Sequence, residues 1–140
     1  MVIIMTLNGK KMQQNWLTKA LRIHHGEAYD VKICDALYEV KNGHMLWFWG
    51  CWNKGVWEEG IWQSGTWRFG TWLGGHWESG LWEGGQWKGG TWEDGYWKNG
   101  IWEDGEWKGG YWKNGVMWNN IKQKYVSVKW DGKIFCEVEE

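Results

Sequence analysis

The 140-residue sequence contains no proline, only three cysteines and no strong excess of either charge. Its formal net charge of -1 provides no basic surplus of the kind that marks binding to nucleic acid or anionic membranes, and we expect neither. Cys34, Cys51 and Cys136 lie far apart and form no C-x-x-C pair, which favours reduced thiols in a cytoplasmic protein. No hydrophobic run approaches a membrane span, and the segment 1–5 is too short for a signal-peptide core.

Recognisable catalytic patterns are also lacking. His24, His25, His44 and His76 have no obvious nucleophile or carboxylate partner, and neither a phosphate-binding glycine loop nor a metal-ligand spacing occurs. His24 and His25 with Cys34 could ligate a metal, but a His pair at a helix end beside a lone strand Cys is more typical of plain structure. We therefore expect no enzymatic activity, no cofactor and no metal site.

Tryptophan and glycine, by contrast, are present in large excess, with 18 Trp and 22 Gly. From about Leu46 to Trp118 they follow one pattern, Gly-x-Trp-x-x, without an insertion, and such bias indicates an internal repeat. We predict a structural core of Trp52, Trp57, Trp62, Trp67, Trp72, Trp77, Trp82, Trp87, Trp92, Trp97, Trp102, Trp107 and Trp112. The predicted turn glycines are Gly55, Gly60, Gly65, Gly70, Gly75, Gly80, Gly85, Gly90, Gly95, Gly100, Gly105, Gly110 and Gly115.

The repeat array, residues 46–118, is flanked by two segments that we predict to be caps of one folded unit. In the N-terminal cap, residues 1–45, an apolar stripe predicts a helix over 11–25, and Asn42-Gly43 between two strand-forming runs predicts a hairpin. In the C-terminal cap, residues 119–140, Asp131-Gly132 predicts a second hairpin. Repeat proteins need such terminal units to cover their last exposed layers.

Each pentad reads as a short strand followed by a turn. The residue before Trp is often a strand former, and the residue before Gly is often Ser, Gly, Asp or Asn, which favours a turn at the glycine. Because neighbours in a strand point to opposite faces, Gly and Trp are expected to share a buried face. The residues on either side of Trp are expected to face solvent, and the residue that follows Trp is often charged.

A unit such as Gly95-Tyr96-Trp97-Lys98-Asn99 resembles those of the pentapeptide-repeat proteins, with Gly for the usual Ala and Trp for the usual Leu or Phe. The resemblance implies a right-handed, four-sided β-helix with four pentads per coil and about three and a half coils. The alternative is a single antiparallel meander of short hairpins, because Gly-x-Trp-x-x-Gly is also similar to part of the MORN repeat. In a meander, all indoles would lie on one bare face.

Charge bears on the number of pentads per coil. From Glu83 to Lys108 the residue after Trp alternates between acid and base, so the charge repeats with every second pentad. Four pentads per coil would stack like charges in successive coils, which costs tenths of a kcal/mol per exposed pair. The predicted fold class is nevertheless a mainly β solenoid, with an α/β cap before it and a β-hairpin cap after it.

For function, we expect a repeat scaffold or protein-interaction module, with a protein partner or a second copy of the chain as its ligand. One alternative, implied by the resemblance, is an acidic DNA mimic that binds a type II topoisomerase; the array has nine acids against six bases. Another is binding of carbohydrate or other ring-stacking ligands by exposed indoles. The segment 17–30 is also similar to a leader of phage-encoded zinc-ribbon proteins, which hints at a viral source.

Overall fold

The computed structural model describes residues 3–6, 32–41 and 44–138, and within these the secondary structure consists of β-strands and turns. The helix predicted over 11–25, the segment 17–30 and the turn residues Asn42-Gly43 lie outside the described residues. The strands are β1 Ile3–Thr6, β2 Lys32–Lys41, β3 His44–Lys54, β4 Val56–Trp57, β5 Gly60–Trp62, β6 Thr66–Trp67, β7 Thr71–Trp72, β8 His76–Trp77, β9 Leu81–Trp82, β10 Gln86–Trp87, β11 Thr91–Trp92, β12 Tyr96–Trp97, β13 Ile101–Trp102, β14 Glu106–Trp107, β15 Tyr111–Trp112, β16 Val116–Asn119, β17 Lys124–Trp130 and β18 Phe135–Glu137.

The array is a β-solenoid with three pentads in each coil. Strand β10 pairs in parallel with β7 on one side and β13 on the other, so Trp87 lies between Trp72 and Trp102. The same step of three pentads recurs throughout the array. The solenoid is therefore confirmed, but the expected four-sided coil is wrong. The antiparallel meander is also wrong, because every pairing within the array is parallel.

Closure after three pentads divides the array into about five coils with three sides. We call the sides face 1, face 2 and face 3. Face 1 contains the pentads of Trp47, Trp62, Trp77, Trp92 and Trp107; face 2 those of Trp52, Trp67, Trp82, Trp97 and Trp112; and face 3 those of Trp57, Trp72, Trp87 and Trp102 and that of Met117. Met117 occupies the Trp position of the last coil, opposite Trp102.

The indoles form three columns that fill the interior. Along a column, Trp67 and Trp82 stack at a centroid distance of 4.9 Å with 3° between their planes. Within one coil, neighbours such as Trp77 and Trp82 meet edge to face at 5.8 Å and 74°. Stacked and edge-to-face contacts are both favoured by the indole quadrupole. Each layer of the core therefore contains three inward side chains, and these are indoles in all but the last coil.

Backbone hydrogen bonds join each coil to the one before it. The N–H of Glu83 donates a hydrogen bond to the carbonyl oxygen of Trp67 at 2.7 Å. The N–H of Gln86 donates one to the carbonyl oxygen of Gly70 at 2.9 Å. This pair of bonds, one after each Trp and one after each Gly, repeats along the array. Because every pentad uses the same two bonds, its short strand is held by the neighbouring coils and not by its own length.

The repeat glycines form the corners of the coil, with positive φ angles from 96° at Gly90 to 141° at Gly100. Most of these glycines are half-buried, whereas the Trp side chains of the same pentads are buried along most of the array. A Cβ at Gly85 would lie 2.2 Å from the carbonyl oxygen of Gly70, so it would point along the axis at the preceding coil. A Cβ at Gly100 would also lie 2.9 Å from Nε1 of Trp82. Only glycine fits both the backbone conformation and the contact.

The first coil is covered by an antiparallel layer, and the predicted N-terminal hairpin accounts for part of it. Strand β3 runs along face 1 and face 2 of this coil and pairs with β5 and β6. Strand β2 pairs with β3 in the hairpin expected around Asn42-Gly43, and β1, which the sequence analysis did not identify, pairs with β2. Buried Tyr38 stacks on Trp47 with ring centroids 6.2 Å apart. It therefore extends the indole column of face 1 beyond the first coil.

The last coil is covered by the C-terminal hairpin predicted from Asp131-Gly132. Strand β17 pairs antiparallel with β16 and β18, and Asp131 Oδ1 accepts hydrogen bonds from the N–H groups of Lys133 and Ile134. The ring of Phe135 contacts Trp107 at 5.4 Å and Trp112 at 5.1 Å. The hairpin therefore closes two of the three indole columns.

Candidate interaction faces

The core tryptophans are unavailable to ligands along most of the array. Twelve of the thirteen predicted core tryptophans are buried, from Trp52 to Trp102 and at Trp112, and Trp107 in the last coil is half-buried. The exposed row of indoles required by the carbohydrate hypothesis is therefore absent from the array core. Function must be sought on the outer side chains, which are the residues before Trp, after Trp and before Gly in each pentad.

The three-sided coil sorts the charges of the array by face. Face 2 carries four cations and one carboxylate: Lys54, Arg68, Lys98, Lys113 and Glu83. Face 1 carries four carboxylates and one cation: Glu78, Glu93, Asp94, Glu106 and Lys108. Face 3 has the same balance as face 1: Glu58, Glu59, Glu103, Asp104 and Lys88. An array that is nearly balanced in sequence is therefore polarised in space, with one basic and two acidic faces.

Opposite charges stack on the acidic faces. Lys108 Nζ lies 3.3 Å from Glu93 Oε1 on face 1, and Lys88 Nζ lies 3.9 Å from Glu103 Oε2 on face 3. Two interactions with Glu93 raise the pKa of the Lys108 ammonium group: the larger is the hydrogen bond, and the smaller is the attraction of the negative charge on Glu93. An offset of three pentads turns a charge period of two pentads into alternation along a column. The two-pentad period was thus a sequence signal for an odd number of pentads per coil.

The cations of face 2 are arranged differently. Among the residues that the structure describes, no ion pair joins Arg68, Lys98 or Lys113 to a carboxylate. Lys98 and Lys113 occupy the same position in successive coils, where the charge alternation ends. Their charges therefore remain available to a ligand.

An aromatic column runs beside these cations. Leu81, Tyr96 and Tyr111 precede Trp in three successive coils of face 2 and lie in one register. The rings of Tyr96 and Tyr111 are 4.8 Å apart and tilted by 34°, and the two residues are 37% and 55% exposed. In the sequence, Tyr96 and Tyr111 stand out as strand formers. Their alignment with the basic column depends on the coil and is not visible there.

The corners form grooves whose floor is glycine backbone. At the corner between face 2 and face 3, a groove of about 420 Å³ has Gly70, Gly85, Gly100 and Gly115 along its floor. Its walls are Phe69, Thr71, Gln86, Asn99, Ile101 and Val116. At the corner between face 3 and face 1, a second groove of about 370 Å³ is lined by His44, Leu46, Glu59, Ile61 and His76.

His44 and His76 each lie beside a carboxylate, so the expectation that they have no carboxylate partner is wrong for these two histidines. His44 Nδ1 contacts Glu59, and His76 Nε2 lies 3.4 Å from Glu93, both at exposed or half-exposed positions. Within the described part of the chain no group of three His, Cys, Asp or Glu residues could hold a metal ion. His24 and His25 lie outside the described residues, as does the side chain of Cys34.

The cysteines differ in state. Cys51 is disulfide-bonded and Cys136 is a free thiol, so the expectation of reduced cysteines is wrong for Cys51.

Among the residues that can be described, no helix has the length and apolar character needed to cross a membrane.

Comparisons with protein-family models, curated proteins and solved structures find no match for this chain. The structure itself shows a β-solenoid of stacked coils in which inward Trp side chains recur every five residues.

Proposed function

We propose that this chain is a non-enzymatic scaffold that binds a protein partner through its outer faces. The observation that carries the proposal is the sorting of charge, with the array's nine acids and six bases distributed so that face 1 and face 3 are acidic and face 2 is basic. The indoles use the inward positions for packing, which leaves the outward positions free to vary. Complementary potentials steer association and select partners.

The acidic faces adjoin along the corner of Gly60, Gly75, Gly90 and Gly105 and form one continuous strip. Five coils at about 4.8 Å, each with a side of about four residues between corners, give each face roughly 300 Å², so the strip offers about 600 Å² before side-chain relief is added. That approaches the ~800 Å² per partner of a standard interface. Ile61 and Leu73, which are 38% and 39% exposed, add apolar contacts within it. The fitting partner is a protein with a basic surface.

The experiment compares the purified chain with a variant carrying Glu78→Lys and Glu106→Lys on face 1, using a matched Lys98→Glu, Lys113→Glu variant on face 2 as control. A protein captured from cell lysate by the wild type is purified and its binding to the chain is remeasured by analytical ultracentrifugation, which also reports self-association. We expect a saturable complex that the face 1 variant weakens at least tenfold and the control leaves intact. A wild-type chain that stays monomeric and retains no partner would overturn the proposal.

The same acidic strip favours a second candidate, the DNA mimic that binds a type II topoisomerase. Face 1 and face 3 together carry eight carboxylates and two lysines, a much stronger bias than that of the whole array. A supercoiling assay with a purified type II topoisomerase tests it directly. Inhibition by the wild type that the Glu78→Lys, Glu106→Lys variant abolishes would select this candidate, and unchanged supercoiling would eliminate it.

A further inference from the structure

Face 2 contains two parallel columns of different chemistry. Tyr96 and Tyr111 stand before Trp in their pentads, and Lys98 and Lys113 stand after it. Residues two apart on a strand lie on the same side about 6.6 Å from each other. An aromatic column therefore runs beside a cationic column along the solenoid axis, with Arg68 continuing the cationic column two coils below Lys98.

A nucleic acid strand has the complementary arrangement. In each nucleotide the base and the phosphate lie on opposite sides of the sugar, so an extended strand presents a row of rings beside a row of anions. Proteins that bind single strands without sequence preference use aromatic side chains for the bases and a basic groove for the backbone. We infer that face 2 binds single-stranded nucleic acid, with Tyr96 and Tyr111 stacking on bases and Arg68, Lys98 and Lys113 contacting phosphates.

The electrostatics of the fold support this occupant. Arg68, Lys98 and Lys113 make no ion pair with a carboxylate of the described residues, so a phosphate does not have to displace an internal partner. The acidic side chains of face 1 and face 3 project from the other two sides of the coil. The low net charge, which led us to expect no nucleic acid, therefore hides a local basic surface.

The dimensions of face 2 favour a short strand over a folded protein. One face offers only about 300 Å² before side-chain relief, well below the ~800 Å² per partner that a globular complex requires. The distance from Arg68 to Lys113 is three coil steps, or about 14 Å at 4.8 Å per step. This length accommodates two to three phosphates of an extended strand, so we expect modest affinity without base specificity.

Replacement of Glu83 should strengthen the binding of nucleic acid to face 2, whereas loss of the cations should weaken it. It is the one carboxylate among the charged array residues of face 2 and lies in the cationic column between Arg68 and Lys98. A phosphate approaching this column meets repulsion from Glu83. Replacing it by glutamine is therefore expected to strengthen binding about threefold, a gain that a loss of folding could not produce.

The experiment is fluorescence anisotropy of a fluorescein-labelled 12-mer of deoxythymidylate, titrated with the purified chain at 50 mM salt. We expect saturable binding, weakened at least fivefold by Lys98→Glu and by the pair Tyr96→Ala, Tyr111→Ala. Lys88→Glu is the matched control, because Lys88 has the same place in its pentad but lies on face 3. It should change the affinity by less than twofold. Circular dichroism verifies that each variant is folded.

Salt dependence and competition complete the test. With three phosphate contacts, the slope of log K against log salt should be about -2, since each contact contributes roughly -0.7 for a single strand. The inference is overturned if the 12-mer does not bind at 50 mM salt, or if Lys88→Glu weakens binding as much as Lys98→Glu. It is also overturned if a polyglutamate peptide binds more tightly than the 12-mer, which would identify face 2 as a site for acidic polypeptide. Each of these outcomes leaves the acidic strip of the proposed protein partner untouched.

Discussion

The indole of Trp82 stacks on that of Trp97 at a centroid distance of 4.9 Å and an angle of 5°, although two further pentads lie between theirs in sequence. The strands that carry them, β9 and β12, pair in parallel. This relation, repeated in three columns, defines the coil. It determines which side chains pack together inside and which charges become neighbours outside.

Truncation of a central indole should cost a large part of the stability. Trp82 is fully buried and contacts indoles above, below and on both sides. Trp82→Ala is expected to lower the free energy of unfolding by about 3–5 kcal/mol, measured by urea denaturation. Trp49→Ala, at a position 42% exposed, is the control and should cost less than about 1 kcal/mol. Equal losses in the two variants would contradict an indole-filled interior.

Replacement by alanine should destabilise the protein at one of two adjacent glycines, Gly75, and have little effect at the other, Gly74. Gly75 has φ 106°, and a Cβ there would lie 2.4 Å from the carbonyl oxygen of Gly60. At Gly74 the nearest contact would be the carbonyl oxygen of Glu58 at 3.6 Å. Gly75→Ala should destabilise by at least about 2 kcal/mol, whereas Gly74→Ala should change stability by less than about 1 kcal/mol. Thermal and urea unfolding measure both. A tolerated alanine at Gly75 would show that the corner does not need glycine.

Deletions distinguish the number of pentads per coil. Removing residues 76–90 takes out three pentads, which make one whole coil, and keeps each remaining pentad on its face, so the C-terminal hairpin still closes the same columns. Removing residues 76–95 takes out a fourth pentad, shifts every later pentad by one face and moves the hairpin with it. We expect cooperative unfolding and a native β-sheet circular dichroism spectrum for the first deletion and marked loss of stability for the second. The reverse ranking would indicate four pentads per coil.

Alkaline pH should destabilise the protein through Tyr38. Burial raises the pKa of the Tyr38 phenol above its usual value of about 10. The unfolded chain therefore loses this proton before the folded chain does, and the stability contributed by the neutral phenol is full below pH ~10 and declines above it. Tyr38→Phe should flatten the fall in unfolding free energy between pH 9 and 11.5, whereas Tyr111→Phe at an exposed position should not. Identical pH profiles for wild type and Tyr38→Phe would refute this role.

Local structure was accessible from the sequence because it depends on neighbouring residues. The pairing of a strand-forming residue with Trp, followed by Asp-Gly or Asn-Gly, predicted short strands and glycine turns. In the structure the side chains of Asp94, Asn99, Asp104 and Asn114 accept hydrogen bonds from the N–H of the glycine that follows. The hairpins at Asn42-Gly43 and Asp131-Gly132 were found for the same reason. Strand β1 was missed because its pairing with β2 is remote in sequence.

The candidate binding surface on face 2 could not be predicted from neighbouring residues in the sequence. Glu83, Lys88, Glu93 and Lys98 form one alternating series in sequence, but the coil places Glu83 and Lys98 on face 2, Lys88 on face 3 and Glu93 on face 1. The resemblance to four-sided solenoids would have grouped them differently. The charge period of two pentads did contain the answer, since opposite charges become neighbours along a column only when the number of pentads per coil is odd.

By itself, therefore, the sequence determined that a strand-and-corner unit repeats with the pentad, that Trp points inward and that hairpins close the array. These properties follow from side-chain size, backbone freedom and hydrogen bonding within a few residues. Only the tertiary structure decided that the coil closes after three units, because closure depends on how indoles from different pentads pack around one axis. That decision also sorted the charges, and so created one basic, aromatic face on a chain whose net charge is close to zero.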